Sequence, residues 1–154
     1  MQTKAGQAKA FFEEGYNCCQ SVVLAFAEEL GLAPALAARL SSGFGGGMGR
    51  LREICGAVSG ITFLLGLAEG YSDPKEIEGK QRLYENIQLL ANRFREENGS
   101  LLCRELLEAS GNAADTAPAP SERTARYYSR RPCGELVASA AELLEAYFRE
   151  EHAG

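Results

Sequence analysis

The sequence predicts an all-α protein, and three observations carry that prediction. Apolar residues recur at helical spacing in most segments, as in Leu83, Ile87, Leu90 and Phe94. Cap and breaker residues sit where those patterns start and stop. No segment shows the sustained alternation of a half-buried strand. The expected architecture is a compact multi-helix bundle or orthogonal helical domain, with about six to eight helices around a buried central helix at 54–69.

The elements follow in order. Lys4–Gly15 reads as a short Ala- and Glu-rich helix anchored by Phe11 and Phe12. Asn17 caps a second helix that runs to about Leu30 and stops at Gly31. Pro34 opens a third, short helix that ends in the glycine-rich run 43–49. The segment Ile54–Ala68 is apolar on nearly all sides, which marks a buried helix. Asp73-Pro74 starts a long helix to about Asn98, and Ser100 caps another through Leu107. Residues 111–121 (GNAADTAPAPS) carry turn formers and prolines with nothing to bury, so they read as an exposed loop. Ser121–Arg130 adds a short helix. Pro132 opens the last one, with Leu136, Ala140, Leu143, Leu144 and Tyr147 on one side.

Composition bounds the function. The 154 residues suit one domain, 1–154, and 45% hydrophobic residues supply a core without help from disulfides or metal. A net charge of −5 argues against a protein that grips nucleic acid or anionic membrane through its overall field. Ile54–Ala68 falls short of the roughly 20 apolar residues of a membrane span, and no secretory leader is legible before Tyr16. The expectation is a cytoplasmic protein in a reducing setting, without membrane insertion. There, cysteines serve more often as ligands or redox groups than as permanent bridges.

The glycine run 43–49 satisfies neither the dinucleotide pattern GxGxxG nor the P-loop pattern. It reads first as a conformational hinge that lets two helices approach, and second as a source of backbone N–H groups for a ligand. Gly56 and Gly60 form a small-residue stripe suited to close helix packing.

The chemistry rests on the five cysteines. CxxC, CxxCH and zinc-knuckle spacings are all absent, and the single histidine, His152, sits near the C-terminal end. Cys18, Cys55, Cys103 and Cys133 are each predicted in a first helical turn, where free N–H groups and the helix dipole favour thiolate. Arg50, Arg52, Arg104, Arg130 and Arg131 lie close in sequence and push the same way. Adjacent helical residues diverge by roughly 100°, so Cys18 and Cys19 face different ways. Cys19 falls among Val22, Val23, Phe26 and Leu30, as a core residue does, and Cys18 falls at the rim.

Five pieces in order then make a pattern: Tyr16-Asn17-Cys18; Ser42-Gly43-Phe44-Gly45-Gly46-Gly47-Met48-Gly49; Cys55-Gly56-Ala57-Val58-Ser59-Gly60 with Leu65-Gly66-Leu67; Cys103-Arg104-Glu105-Leu106-Leu107; and Cys133. The pattern resembles the four-cysteine CGAxxG family, C_GCAxxG_C_C, of redox-active proteins, from about residue 10 to 148. The resemblance places the family's cysteines on Cys18, Cys55, Cys103 and Cys133 and implies a small bacterial or archaeal redox protein. Similar cysteine domains stand beside haem segments with an iron–sulfur centre in some anaerobe cytochromes. Without CxxCH, the haem part does not carry over.

Three functions stay open on the sequence. One is an iron–sulfur or other metal centre on the four cysteines, used for electron transfer with a redox partner. Another is thiol–disulfide chemistry, in which the same four act catalytically as redox pairs. The last is a non-catalytic module with structural zinc or plain packing and no cofactor. Oligomeric state has no signature in the sequence.

Overall fold

A computed structural model describes residues 2–153. It is all-α: eight helices and one 3₁₀ turn, with no strand among the described residues. The helices are α1 (Lys4–Glu13), α2 (Cys18–Ala27), α3 (Pro34–Ser41), α4 (Gly56–Glu69), α5 (Ile77–Asn98), α6 (Cys103–Ala109), α7 (Ala125–Arg130) and α8 (Cys133–Ala153), with the 3₁₀ turn at Ser42–Phe44. None is long and apolar enough to cross a membrane among the described residues.

The centre is shared by two helices. α2 packs against α1, α3, α4 and α8, and α4 packs against α2, α5 and α8. Their contact is close because α4 presents glycine there: a Cβ on Gly60 would stand 2.9 Å from Val22 Cβ, and one on Gly56 would stand 3.1 Å from both Cys18 Cβ and Phe44 O. The small-residue stripe is therefore a packing device, and it sets the start of α4 directly against the start of α2.

Local chemistry fixes the starts and stops. Asn17 accepts from Gln20 N while the Gln20 side chain accepts from Asn17 N, a reciprocal cap. Gly31 takes φ 78° just past α2, and Gly99 takes φ 97° after α5. Several boundaries differ from expectation: α2 ends at Ala27 and not near Leu30, α7 begins at Ala125 and not at Ser121, and three others have a visible local cause. The buried helix begins at Gly56 and not at residue 54; Ile54 is extended and pairs with Leu102 in an isolated antiparallel bridge. α5 begins at Ile77, because Asp73 instead closes a turn by accepting from Lys75 N. Ser100 accepts from Leu102 N and donates to Glu105, one turn outside α6, whose first residue is Cys103.

Candidate functional site

Four chain segments meet at one place. Asn17 Nδ2 donates to Ser42 O at 2.9 Å and Gln20 Nε2 donates to Ala38 O, which ties the end of α3 to the start of α2 at Cys18. Residues 52–55 run beside 101–104: Cys55 N donates to Leu101 O, Cys103 N to Glu53 O and Arg104 N to Arg52 O. That lacing holds Cys55 and Cys103 side by side. Pro132 turns the chain into α8, which packs on α1, and so delivers Cys133.

The glycine run has a specific conformation. Gly46, Gly47, Met48, Gly49 and Arg50 all take left-handed φ between 55° and 72°, and Arg52 follows at 61°. Non-glycine residues there cost on the order of 1–2 kcal/mol each, so the strain at Met48, Arg50 and Arg52 must be held by the surroundings. Long-reach backbone bonds do so: Gly49 N to Gly43 O, Arg52 N to Gly46 O and Glu53 N to Gly47 O. Gly47 is required on steric grounds as well. A Cβ there would lie 2.8 Å from Cys103 Cβ and 2.6 Å from Glu53 N. The run is thus a rigid left-handed turn that carries Arg52 to Cys103, more than a hinge.

Cys18, Cys55, Cys103 and Cys133 all line one cavity of about 430 Å³. Cys19 does not; it is 0% exposed in the core, as the helix wheel predicts. Among the described residues, no three His, Cys, Asp or Glu side chains are gathered closely enough to hold a single ion. Phe12, Leu106, Leu107 and Leu136 make the apolar wall, and Pro118, Pro120 and Ser121 from the exposed loop close one side. That loop reads in sequence as exposed with nothing to bury, yet it receives arginine contacts: Arg50 Nε donates to Ala117 O, Arg52 Nε donates to Asp115 O, and Arg50 pairs with Asp115.

Charge in the cavity is one-sided. Arg50, Arg52, Arg123 and Arg131 line it and no carboxylate does, within a chain of net charge −5. Arg123 has no local sequence signal linking it to a cysteine. It arrives from the segment before α7, donates to Phe12 O and Tyr16 O, and stacks its guanidinium 4.5 Å from the Phe12 ring and 4.9 Å from that of Tyr127.

The thiols are not equivalent. The neighbouring Cys18 thiol, helped by Arg131, Arg123 and Arg52, lowers Cys133 to about 7 against its burial. The Cys133 sulfur, with burial, pushes Cys18 well up. Burial pushes Cys55 up to about 12 over the opposing N–H groups of Ala57 and Val58. Cys103 is also raised by burial, although Arg52 Nη1 donates to its sulfur at 3.6 Å. The expectation of four thiolates at helix starts is thus corrected: desolvation prevails at Cys55 and Cys103, the Cys133 sulfur together with burial does so at Cys18, and only Cys133 gains thiolate character. Cys55 is also a cap residue, not a first-turn residue.

The fold and the cavity define a class: a small helical protein that brings four thiols into one cation-lined space. The family profile described as "Putative redox-active protein (C_GCAxxG_C_C)" matches residues 16–147, and the chain belongs to that family of redox-active proteins. Searches of curated proteins and of solved structures returned no match.

Proposed function

We propose that the protein is a redox carrier that holds an iron–sulfur cluster on Cys18, Cys55, Cys103 and Cys133 and exchanges electrons with a redox partner. The observation that carries this reading is the meeting of four sulfurs from four separate segments at one cavity walled by arginines without a carboxylate. A redox dithiol uses two cysteines; a cluster uses four. The donor set is cysteine sulfur only, which selects iron–sulfur or zinc. A group of several atoms suits four cysteines that line one cavity without forming a single-ion site among the described residues better than a single ion does. Bound there, the cluster would supply one-electron chemistry. The chain itself supplies the sulfur donors, the guanidinium charge that favours an anionic group, and an apolar wall at Phe12, Leu106 and Leu136 that restricts water.

The test is purification without oxygen, followed by visible absorption and counts of iron and acid-labile sulfide per chain. Coloured protein with matched iron and sulfide supports the reading. A colourless protein that also refuses reconstitution with iron and sulfide overturns it.

A second reading has one specific observation behind it: Cys18 and Cys133 line the same cavity and shift each other's acidity in opposite directions. A thiol beside a sulfur of thiolate character is arranged for disulfide exchange with a partner disulfide. The Cys133 thiolate attacks one partner sulfur and expels the other as thiolate. Cys18 then gives up its proton and attacks Cys133, so the partner leaves as a dithiol and Cys18–Cys133 remains as the disulfide. A thiol count that falls by two on oxidation, with both residues found in one bridged peptide, supports this reading. Retention of all five thiols under a disulfide oxidant rejects it.

A further inference from the structure

Arg52 is 5% exposed, and its guanidinium lines the cavity. Two of its three nitrogens have partners: Nε donates to Asp115 O at 2.9 Å and Nη1 to Cys103 Sγ at 3.6 Å. Nη2 is buried and has no partner. A buried guanidinium nitrogen left without an acceptor costs on the order of 1–3 kcal/mol, so such groups point to an occupant. The neighbourhood favours a negative one. Arg123 and Arg131 line the same space, and neither pairs with a carboxylate among the described residues. Phe12, Leu106 and Leu136 give the same cavity an apolar wall. The volume, about 430 Å³, lies within the range of small-molecule sites.

We propose that the cavity is also the binding site of a small organic carboxylate, whose carboxylate oxygen accepts from Arg52 Nη2 and whose carbon body lies against the apolar wall beside the Cys103 sulfur. A guanidinium is the side chain best suited to a carboxylate. The Arg52 contact to Cys103 sets the carboxylate next to a sulfur, so the ligand occupies the reactive part of the cavity. The inference concerns this chain's own arginines and stands whether or not a cluster is present.

The experiment uses the full, reduced, metal-free chain and two alkylating probes that differ in charge. Iodoacetate carries a carboxylate; iodoacetamide is its neutral counterpart. In both, a cysteine sulfur displaces iodide from the CH₂ carbon and forms a C–S bond. Initial rates are located to each cysteine by mass spectrometry, and the iodoacetate-to-iodoacetamide ratio is compared with that of N-acetylcysteine in the same buffer. Thiol acidity affects both probes alike and cancels in the ratio. At Cys103, or at Cys133 if it reacts first, the ratio should exceed the reference by about tenfold or more, the size expected for a hydrogen bond to a charged group. It should fall to the reference in Arg52→Gln. A second readout needs no variant: propionate should slow iodoacetate alkylation of these cysteines more than chloride does at equal ionic strength. A ratio equal to the reference, a ratio unchanged in a folded Arg52→Gln, or propionate acting only as chloride does would each overturn the site.

Discussion

Replacing Gly47 by alanine, alongside the same change at Gly49, isolates the steric logic of the left-handed turn. Both glycines take left-handed φ, 71° and 55° respectively. Each alanine therefore pays the backbone cost of that region, on the order of 1–2 kcal/mol. They differ in what the new methyl meets. At Gly49 nothing lies within 4 Å. At Gly47 the Cβ would stand 2.6 Å from Glu53 N, 2.8 Å from Arg52 Cα and 2.8 Å from Cys103 Cβ. Two of those are backbone atoms, so rotating a side chain cannot relieve the overlap. Overpacking of this kind adds about 1–3 kcal/mol. Gly47→Ala should thus cost roughly 2–5 kcal/mol against roughly 1–2 for Gly49→Ala. Urea unfolding reads the difference as a lower midpoint at unchanged m-value. Because the clash pushes Cys103 and Arg52 apart, Gly47→Ala should also change alkylation at Cys103, and Gly49→Ala should not. Equal midpoints for the two variants would refute the claim that the turn is held against Cys103.

Three further outcomes follow from the same geometry. Stability of the reduced, metal-free chain should fall as pH rises from about 8.5 to 10. Cys19 and Cys55 keep their protons to about 12 when folded, whereas an unfolded cysteine releases its own near 8.5, so the unfolded state gains about 2 kcal/mol per such thiol at pH 10. Cys133 acts in the opposite sense: its folded value near 7 gives stability that is present above about 8.5 and lost as pH falls through 7. Urea midpoints across pH should show a shallower alkaline decline in Cys19→Ala, and a flat wild-type profile would contradict this. Arg123→Ala should cost about 2–4 kcal/mol in a thermal or urea melt, since it removes the ring stacking and the two hydrogen bonds to Phe12 O and Tyr16 O. Arg123→Lys should recover less than half of that, because an ammonium lacks the fork. Cys19→Ser should lose about 1–3 kcal/mol by burying a hydroxyl while leaving alkylation of the cavity cysteines unchanged.

Much of the frame was legible because it is written in local chemistry. Asn17, Pro34, Gly31 and Pro132 mark element ends through cap and φ preferences that need no tertiary context. The separation of Cys18 from Cys19 follows from helix geometry alone. What the sequence hid is tertiary. Arg123 lies remote in sequence from the Phe12 and Tyr16 carbonyls it binds and from every cysteine but Cys133, and no spacing rule links them. The loop 111–121 looks idle because its contribution is backbone: Asp115 O and Ala117 O receive arginine donors, and the carbonyls carry no sequence signature. The thiol acidities are hidden for a similar reason. Helix-start position is visible in sequence, but the Cys133 sulfur beside Cys18 and the burial of Cys55 and Cys103 belong to the packed fold.

The account turns on whether the four cavity cysteines act together as one redox site while Cys19 stays outside it. The most direct measurement is the visible spectrum, with iron and sulfide content, of oxygen-free wild type and of five single Cys→Ser variants. The predicted result is an absorbing, iron- and sulfide-bearing wild type that bleaches on reduction. Each of Cys18→Ser, Cys55→Ser, Cys103→Ser and Cys133→Ser should lose or weaken the chromophore with helix content kept, and Cys19→Ser should retain it in full. A chromophore lost in Cys19→Ser but kept in any two of the other four would contradict the account. So would six proteins alike in carrying neither iron nor sulfide before and after reconstitution.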